Sequence, residues 1–370
     1  MELRIDTTKL QDMVSKAIHC ASNNKLIPMT SLINISVWNG KLTLATTDAT
    51  NYFYVSLAEK VDCEDFEVSV MADLFTKLVQ KTTSSEVKIT LEDKVMVVKG
   101  NGTYKIELPL NEKAKPITFP IMFDDSAFTK EVDTIDLSAV RSVILSNKTS
   151  LATDMKHPVL TGYYCGKSVI TSNKKVVCWR NTPLLKKATV LSPTVMDLLS
   201  VCSDDKANVY VKLVDAYHQS SAFIFKTNTE IIYAPEFSDS ETFPIESVDK
   251  LVNQEFESKC VVSRTSILDI LDRLSLFVTA YDKKSINMTF SEKGIIFSSK
   301  KSSGEELVQY ESVENFKPFS CQIHIEYLQN QLSSQDTDTV ELSFGSEIAI
   351  KLTSENVVRI VALIKDNEVS

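Results

Sequence analysis

A chain of 370 residues, 43% of them hydrophobic and 24% charged, is too long for one ordinary core and predicts a globular protein of two to three domains, excluding a disordered chain. Its seven cysteines never reach CxxC spacing, which excludes a metal or redox pair of that kind and fits small buried thiols in a reducing cytoplasm. The net charge of −9 argues against nucleic acid only as an average, because a basic stripe can lie inside an acidic total.

The start, MELRIDTTK, is charged from its second residue and lacks a signal-peptide core, so no export is expected. In TTKLQDMVSKAI, residues Leu10, Met13, Val14, Ala17 and Ile18 follow helical spacing, with Asp6 as the N-cap. Asn39-Gly40 in NGKLTLATTD is a two-residue type I′ hairpin signal. With that pair as the loop, Val37 faces Leu42 and Ile35 faces Leu44, leaving Ser36 and Thr43 on the other side. A second helix, MADLFTKLVQ, and the alternating strands of EVKITLEDKVMVVKG follow.

The series then returns. DLSAVRSVIL carries Leu137, Val140 and Ile144 on one helical face, Gly166 marks a hairpin in TGYYCGKSVITSN, and SPTVMDLLSVC reads as a helix with Ser192 as cap and Pro193 in its first turn. Strands follow in ANVYVKLVDAYHQSSAFIFKT. A third copy runs through Ile267, Ile270, Leu271 and Leu274, the hairpin glycine Gly294, the helix IHIEYLQNQL and the strands of DTVELSFGSEIAIKLTS. An interval of about 127 residues means three copies of a domain-sized unit rather than a solenoid of short repeats. Polar or proline-bearing segments at 112–120 and 247–256 mark the boundaries, giving domains 1–120, 121–250 and 251–370. Near the end, VVRIVALI is too short to span a bilayer and carries Arg359 in its middle, so no membrane partner is expected.

Catalytic motifs are missing from this pattern. GNGT at 100–103 sits between strands and reads as a turn rather than a phosphate loop, and His19, His157, His218 and His324 are isolated from one another. No GxSxG elbow or nucleophilic cysteine signature occurs. No catalytic residue, metal or cofactor is therefore assigned. The basic residues are more informative: Lys9 and Lys16, Arg141 and Lys148, and Arg264 and Arg273 accompany the first helix of each copy, and Lys77 and Lys81 a second helix. Each has an ordinary reading as a solvated face. Together, if equivalent helices point to one axis, they form a sequence-blind lining for phosphates, diluted by Asp12, Asp269 and Asp272.

ELRIDTTKL, LIPMTSLINISVWNGKLTLATTD, HPVLTGYYCGKSVITSNKK and ILDRLSLF followed by GIIFSSKKSSGEELVQY, in this order and spacing, resemble the bacterial DNA sliding clamp, the beta subunit of DNA polymerase III, along essentially the whole chain. The resemblance implies an α+β protein of three similar tandem clamp domains, each with two helices packed on β-sheets, closed as a head-to-tail homodimer around double-stranded DNA. It implies a non-catalytic, cytoplasmic processivity factor that tethers the replicative DNA polymerase and is met by the clamp loader through short clamp-binding peptides.

Carried over residue by residue, the resemblance places Lys25 of SNNKLIP on DNA. It also places Tyr104, Lys105, Ile106, Leu276, Phe277, Glu305 and Glu306 at the dimer interface. The peptide pocket falls on His157, Leu160, Thr171, Asn173, Lys174, Lys175, Val176, Pro244, Ile360, Val361, Ala362 and Leu363. Two segments depart from the family. Thr171-Ser172-Asn173-Lys174-Lys175-Val176 stands for Thr-Asp-Gly-His-Arg-Leu, and IVALIKDNEVS replaces a Met-Pro-Met-Arg-Leu tail. Such divergence suits a clamp of a phage or mobile element, and loss of both tail methionines implies a shallower pocket. The rival readings are an acidic three-repeat β-rich structural or interaction protein, and a hydrolase with a dispersed site.

Overall fold

The computed structural model describes residues 1–111, 113, 115–128, 130–213, 221–237, 239–299 and 304–364. His218 and the tail beyond Ile364 lie outside them. One order of elements recurs three times. The first copy is β1 (Glu2–Asp6), α1 (Thr7–Ala17), β2 (Leu32–Trp38), β3 (Lys41–Thr47), β4 (Tyr52–Ser56), β5 (Phe66–Met71), α2 (Ala72–Gln80), β6 (Glu86–Glu92), β7 (Val95–Lys99) and β8 (Thr103–Glu107). The second is β9 (Glu131–Asp136), α3 (Leu137–Asn147), β10 (Tyr163–Cys165), β11 (Val169–Ser172), β12 (Val176–Arg180), β13 (Thr189–Leu191), α4 (Pro193–Val201), β14 (Lys206–Leu213), β15 (Ser221–Lys226) and β16 (Glu230–Pro235). After α5 (Ile245–Val252) comes the third: β17 (Ser258–Ser263), α6 (Arg264–Ser275), β18 (Ser285–Ser291), β19 (Gly294–Ser299), β20 (Glu305–Val308), β21 (Ser312–Glu314), β22 (Phe319–His324), α7 (Ile325–Ser333), β23 (Thr339–Phe344), β24 (Ala349–Ser354) and β25 (Val357–Ala362).

Local chemistry accounts for these elements. The Asp6 side chain accepts the amide of Lys9 at 3.1 Å and starts α1, which buries Leu10, Met13, Val14 and Ala17. Each of the larger three contributes roughly 1.5–3 kcal/mol by leaving water. Asn39 and Gly40 take φ of 52° and 77°, and the ladder pairs Val37 with Leu42 and Ile35 with Leu44, as the hairpin spacing requires. Gly294 serves another purpose. Its φ is 150°, and a Cβ there would meet the Val308 carbonyl oxygen at 2.0 Å, so only glycine lets β20 approach β19. The polar stretch from 247, read as a linker, is partly helical instead: α5 presents Ile245, Val248 and Val252 at i, i+3 and i+7 to the core around Phe243 and Ile360.

The chain divides into two compact units. The first comprises Met1–Val140 with Pro193–Glu236. Within it, β1-β6-β7-β8 form a four-stranded sheet, and an eight-stranded sheet runs β5-β2-β3-β4-β16-β15-β14-β9. The two halves of the larger sheet come from different copies and join where β4 pairs antiparallel with β16, Phe53 opposite Ile232. Gln11 of α1 donates to the carbonyls of Val79 and Thr82 at 3.1 and 3.0 Å, tying α1 to α2.

The second unit comprises Arg141–Ser192 with the chain from Phe237 onward. Its nine-stranded sheet runs β13-β10-β11-β12-β25-β24-β23-β17-β21, again joining two copies, here at β12 and β25, and its four-stranded sheet runs β20-β19-β18-β22. Stacked Phe290 and Phe344, with centroids 3.9 Å apart, lie in a core with Ile267, Leu271 and Leu332. Among the described residues no helix is long and apolar enough to cross a membrane. The seven cysteines are free; Cys63 and Cys321 are partly exposed and the others buried.

One polar contact in the first unit is deeply buried. Glu230, fully inaccessible, receives Lys16 at 3.2 Å and the Thr227 hydroxyl, and Lys16 also reaches Asp12 at 2.6 Å and Ser203. Burial works against the charge on Lys16, but the carboxylates of Asp12 and Glu230 more than offset it and leave its pKa raised. Removing one member of such a pair strands the other without a counter-charge. Lys16→Met is expected to lower unfolding stability by about 3 kcal/mol in a denaturant titration, whereas Lys9→Met, at an exposed pair with Glu59, is expected to change it by less than about 1 kcal/mol.

Candidate functional site

The basic residues assigned to a lining divide into two groups. Lys25, Lys81 and Lys148 are exposed and, among the described residues, pair with no carboxylate. Lys9 is exposed on α1 with Glu59, and Lys77 on α2 pairs one helical turn back with Asp73 at 2.7 Å. Arg141 is half-buried on α3. The other three hold groups that join elements of the fold. Lys16 is the partly exposed partner of the buried Glu230. Arg264, at the start of α6, donates to the Thr337 carbonyl at 2.6 Å. Arg273 holds Glu306 through two nitrogens at 2.9 and 2.5 Å.

That last pair joins α6 to β20 and bears on the residues assigned to an interface. Arg273 keeps the Glu306 carboxyl below its usual range, chiefly by hydrogen bonding, so the two remain charged together. Glu306 is thereby engaged within its own chain, and Glu305 is the exposed carboxylate left on β20. On β8, Lys105 is exposed and 3.8 Å from Glu92, Tyr104 is 44% exposed and Ile106 is buried. Leu276 and Phe277, just after α6, are 81% and 50% exposed. Both β8 and β20 are sheet edges: each has one strand neighbour.

Of the pocket residues, Leu160, Val176, Ile360 and Val361 are buried in the cores of the second unit, with Val176 directly opposite Val361 in the ladder. Thr171 is buried and donates to the Asn147 carbonyl at 3.0 Å. The β11–β12 turn is set by Asn173, whose side-chain oxygen accepts the amides of Lys175 and Val176 at 3.0 and 2.8 Å, and by Lys174 at φ 71°. This turn brings Lys174 against His157, while Pro244 is exposed before α5.

A cavity of about 360 Å³ lies beside that turn, where Lys175, Ala362 and Leu363 meet His324, Tyr327 and Ile348. His324 and Tyr327 stack with centroids 4.2 Å apart. Burial lowers the His324 pKa, with Glu326 opposing and Lys284 reinforcing the shift. The neutral ring is therefore favoured, giving the cavity an aromatic wall with a polar edge. Sequence reading missed His324, Tyr327 and Ile348. Their available signal was an i, i+3 aromatic pair at the head of IHIEYLQNQL. A second hollow, about 310 Å³, lies in the first unit between Trp38, Tyr54, Phe119 and Met122 over a polar floor that includes Asn34 and Glu67. Among the described residues no cluster of three or more His, Cys, Asp or Glu side chains is placed to hold a metal.

The family model described as DNA polymerase III beta subunit, N-terminal domain, matches residues 1–114. No curated protein sequence matches the chain. The sliding clamp of Bacillus subtilis is similar in structure at 15% identity, with 99% of each chain covered and a TM-score of 0.80. The beta subunit from Thermotoga maritima is similar at 16% identity, covering 98% of this chain and 99% of that one with a TM-score of 0.81. That of Borrelia burgdorferi reaches 17%, 99% and 98% coverage and a TM-score of 0.82. The family model thus matches the N-terminal third of the chain, and the whole chain has the fold of the bacterial sliding clamps at low sequence identity.

Proposed function

We propose that this protein is a cytoplasmic DNA polymerase processivity factor, in which two copies close head-to-tail around duplex DNA without catalysing a reaction, and in which the repeats are bounded at 1–120, 121–250 and 251–370. One observation carries the reading. Within the chain, the last strand of a hairpin half-sheet twice pairs with the last strand of the next copy's other half: β4 with β16, and β12 with β25. By the same order of elements the third such pair is β20 with β8, and among the described residues each of these strands has one open edge. An open ladder edge presents backbone donors and acceptors that favour another strand. Joining β20 of one copy to β8 of a second repeats the same contact, with Tyr104, Leu276 and Phe277 covering one another and Lys105 meeting Glu305.

Such a ring retains DNA by topology rather than affinity. Contacts to phosphate can then be weak and screened, which permits sliding, and the acidic total discourages DNA from the outer face. The lining falls chiefly on the exposed Lys25, Lys81 and Lys148, joined by Lys9 and Lys77, whose pairs with Glu59 and Asp73 are open to water, and by Arg141; Lys16, Arg264 and Arg273 hold groups that brace the fold. The cavity bounded by Tyr327 and Leu363 suits a large apolar side chain of an extended peptide from a polymerase or loader, with the His157–Lys174 turn beside it fixing polar groups.

Three measurements test this. Leu276→Ala with Phe277→Ala is expected to move sedimentation from dimer to monomer while circular dichroism stays unchanged, and to abolish retention on nicked circular DNA; an unchanged dimer overturns the ring. Changing Lys25, Lys77, Lys81 and Lys148 to Gln is expected to flatten the slope of log affinity against log salt by about 0.9 for each phosphate no longer neutralised, and an unaltered slope overturns the lining. Tyr327→Ala is expected to weaken a fluorescent clamp-binding peptide roughly tenfold, as for removal of a buried aromatic anchor, and equal binding places the peptide elsewhere.

A further inference from the structure

Arg359 stands in the apolar run VVRIVAL, at a strand position where the flanking Val357 and Val361 face the core. It is only 1% exposed. A guanidinium carries five N–H donors in a fixed plane and stays charged. Here Nη2 donates to the Ser334 carbonyl at 2.9 Å, just past the C-terminus of α7, where a positive charge is favoured. Nε and Nη1 are buried and, among the described residues, have no acceptor.

The surroundings are built the same way. Gln335, 4% exposed, has both side-chain amide atoms buried without partners among the described residues. Arg180 donates to the hydroxyls of Thr182, Ser146 and Ser142 at 3.1, 3.1 and 2.7 Å, all neutral acceptors. Cys178, opposite Arg359 in the ladder, has its thiol pushed up to about 11 by burial and supplies no counter-charge. A cavity of about 80 Å³ opens among Arg180, Arg359, Gln335 and Ser146, with Asp336 and Glu355 exposed at its rim. One water needs on the order of 10–15 Å³ by this measure, so the space suits a ligand of a few heavy atoms.

We propose that Arg359, Arg180 and Gln335 form a binding site for one small tetrahedral oxyanion, taken up as free inorganic phosphate or sulfate. Arg359 offers the N–H groups of Nε and Nη1, which lie on different edges of the guanidinium and so act singly rather than as a fork, and the Gln335 amide adds another donor. Arg180, which lines the same cavity, contributes a second positive charge. The anion completes the pairing of a guanidinium that the fold otherwise leaves with a single hydrogen bond. It also braces the β12–β25 join two residues from the Val176–Val361 pair.

The test is thermal unfolding of the full chain at constant ionic strength, with chloride replaced by phosphate or sulfate. Saturating phosphate is expected to raise the wild-type Tm by about 3 °C or more, Arg180→Gln to lose that increment, and Asp336→Asn to keep or enlarge it. An equal increment in wild type and Arg180→Gln reveals a general salt effect and overturns the site. No increment in wild type, with Asp336→Asn destabilising the protein, identifies Asp336 as the counter-ion and overturns it as well. The same variants are titrated with duplex DNA. A fall in DNA affinity for Arg180→Gln without any phosphate increment in wild type assigns the pocket to the DNA backbone and overturns the free anion. Unchanged DNA affinity together with the phosphate increment supports it.

Discussion

The structure depends on one constraint: a β-strand at a sheet edge leaves half of its backbone polar groups without protein partners, and these must be paired, hidden or exposed to water. This chain pairs them between copies. The ladder joining β4 to β16 and that joining β12 to β25 turn half-sheets of four or five strands into sheets of eight and nine. Each join carries apolar pairs on its faces, such as Phe53 with Ile232 and Val177 with Ile360, so backbone hydrogen bonding and apolar burial favour the same register. The helices, the turn before β12 and the cavity beside it all take their positions from these joins.

Charge is distributed to suit the same framework. The buried Lys16–Glu230 contact ties α1 to the first residue of β16, beside the β4–β16 join. Arg273 clamps Glu306 of the edge strand β20, and Arg359 lies in β25 at the β12–β25 join. A cation near each of these strands serves the sheet before it serves any ligand. The exposed lysines on helices and loops remain for long-range attraction, which is weak and screened by salt. A net charge of −9 is compatible with this division because the two kinds of cation do different work.

Much of this organisation was legible in the sequence wherever a local rule carried it. The Asn39-Gly40 turn dictates its hairpin register because only that loop places Val37 and Leu42 on one face, and the Asp6 cap and the apolar stripe of α1 follow from helical spacing. What escaped has a common cause. A period of two says that a strand has a buried face but not which strand lies beside it, so the joins between copies were invisible. The helix α5 was concealed because its four apolar positions lie among charged residues, and His324 looked isolated because Tyr327, its stacking partner, was read only as part of a helix. The buried state of Leu160, Val176 and Val361 likewise follows from the packing of two sheet faces, which no local pattern reports.

The proposed closure between chains differs from the two internal joins in one physical respect. The internal ladders are intramolecular, so the strands meet at high effective concentration and their pairing adds to folding cooperativity. The pairing of β8 with β20 has to offset the loss of free translation and rotation of a second chain. Both strands are short, five and four residues, and short edges alone make a weak template for association. The exposed side chains beside them supply what the ladder lacks: Leu276 and Phe277 project next to β20, and Tyr104 lies on β8. A ring assembled this way has its weakest link at the one place where strand pairing crosses between chains. Opening there breaks no intramolecular sheet, so in the proposed ring the separation of β8 from β20 leaves the fold of each chain intact.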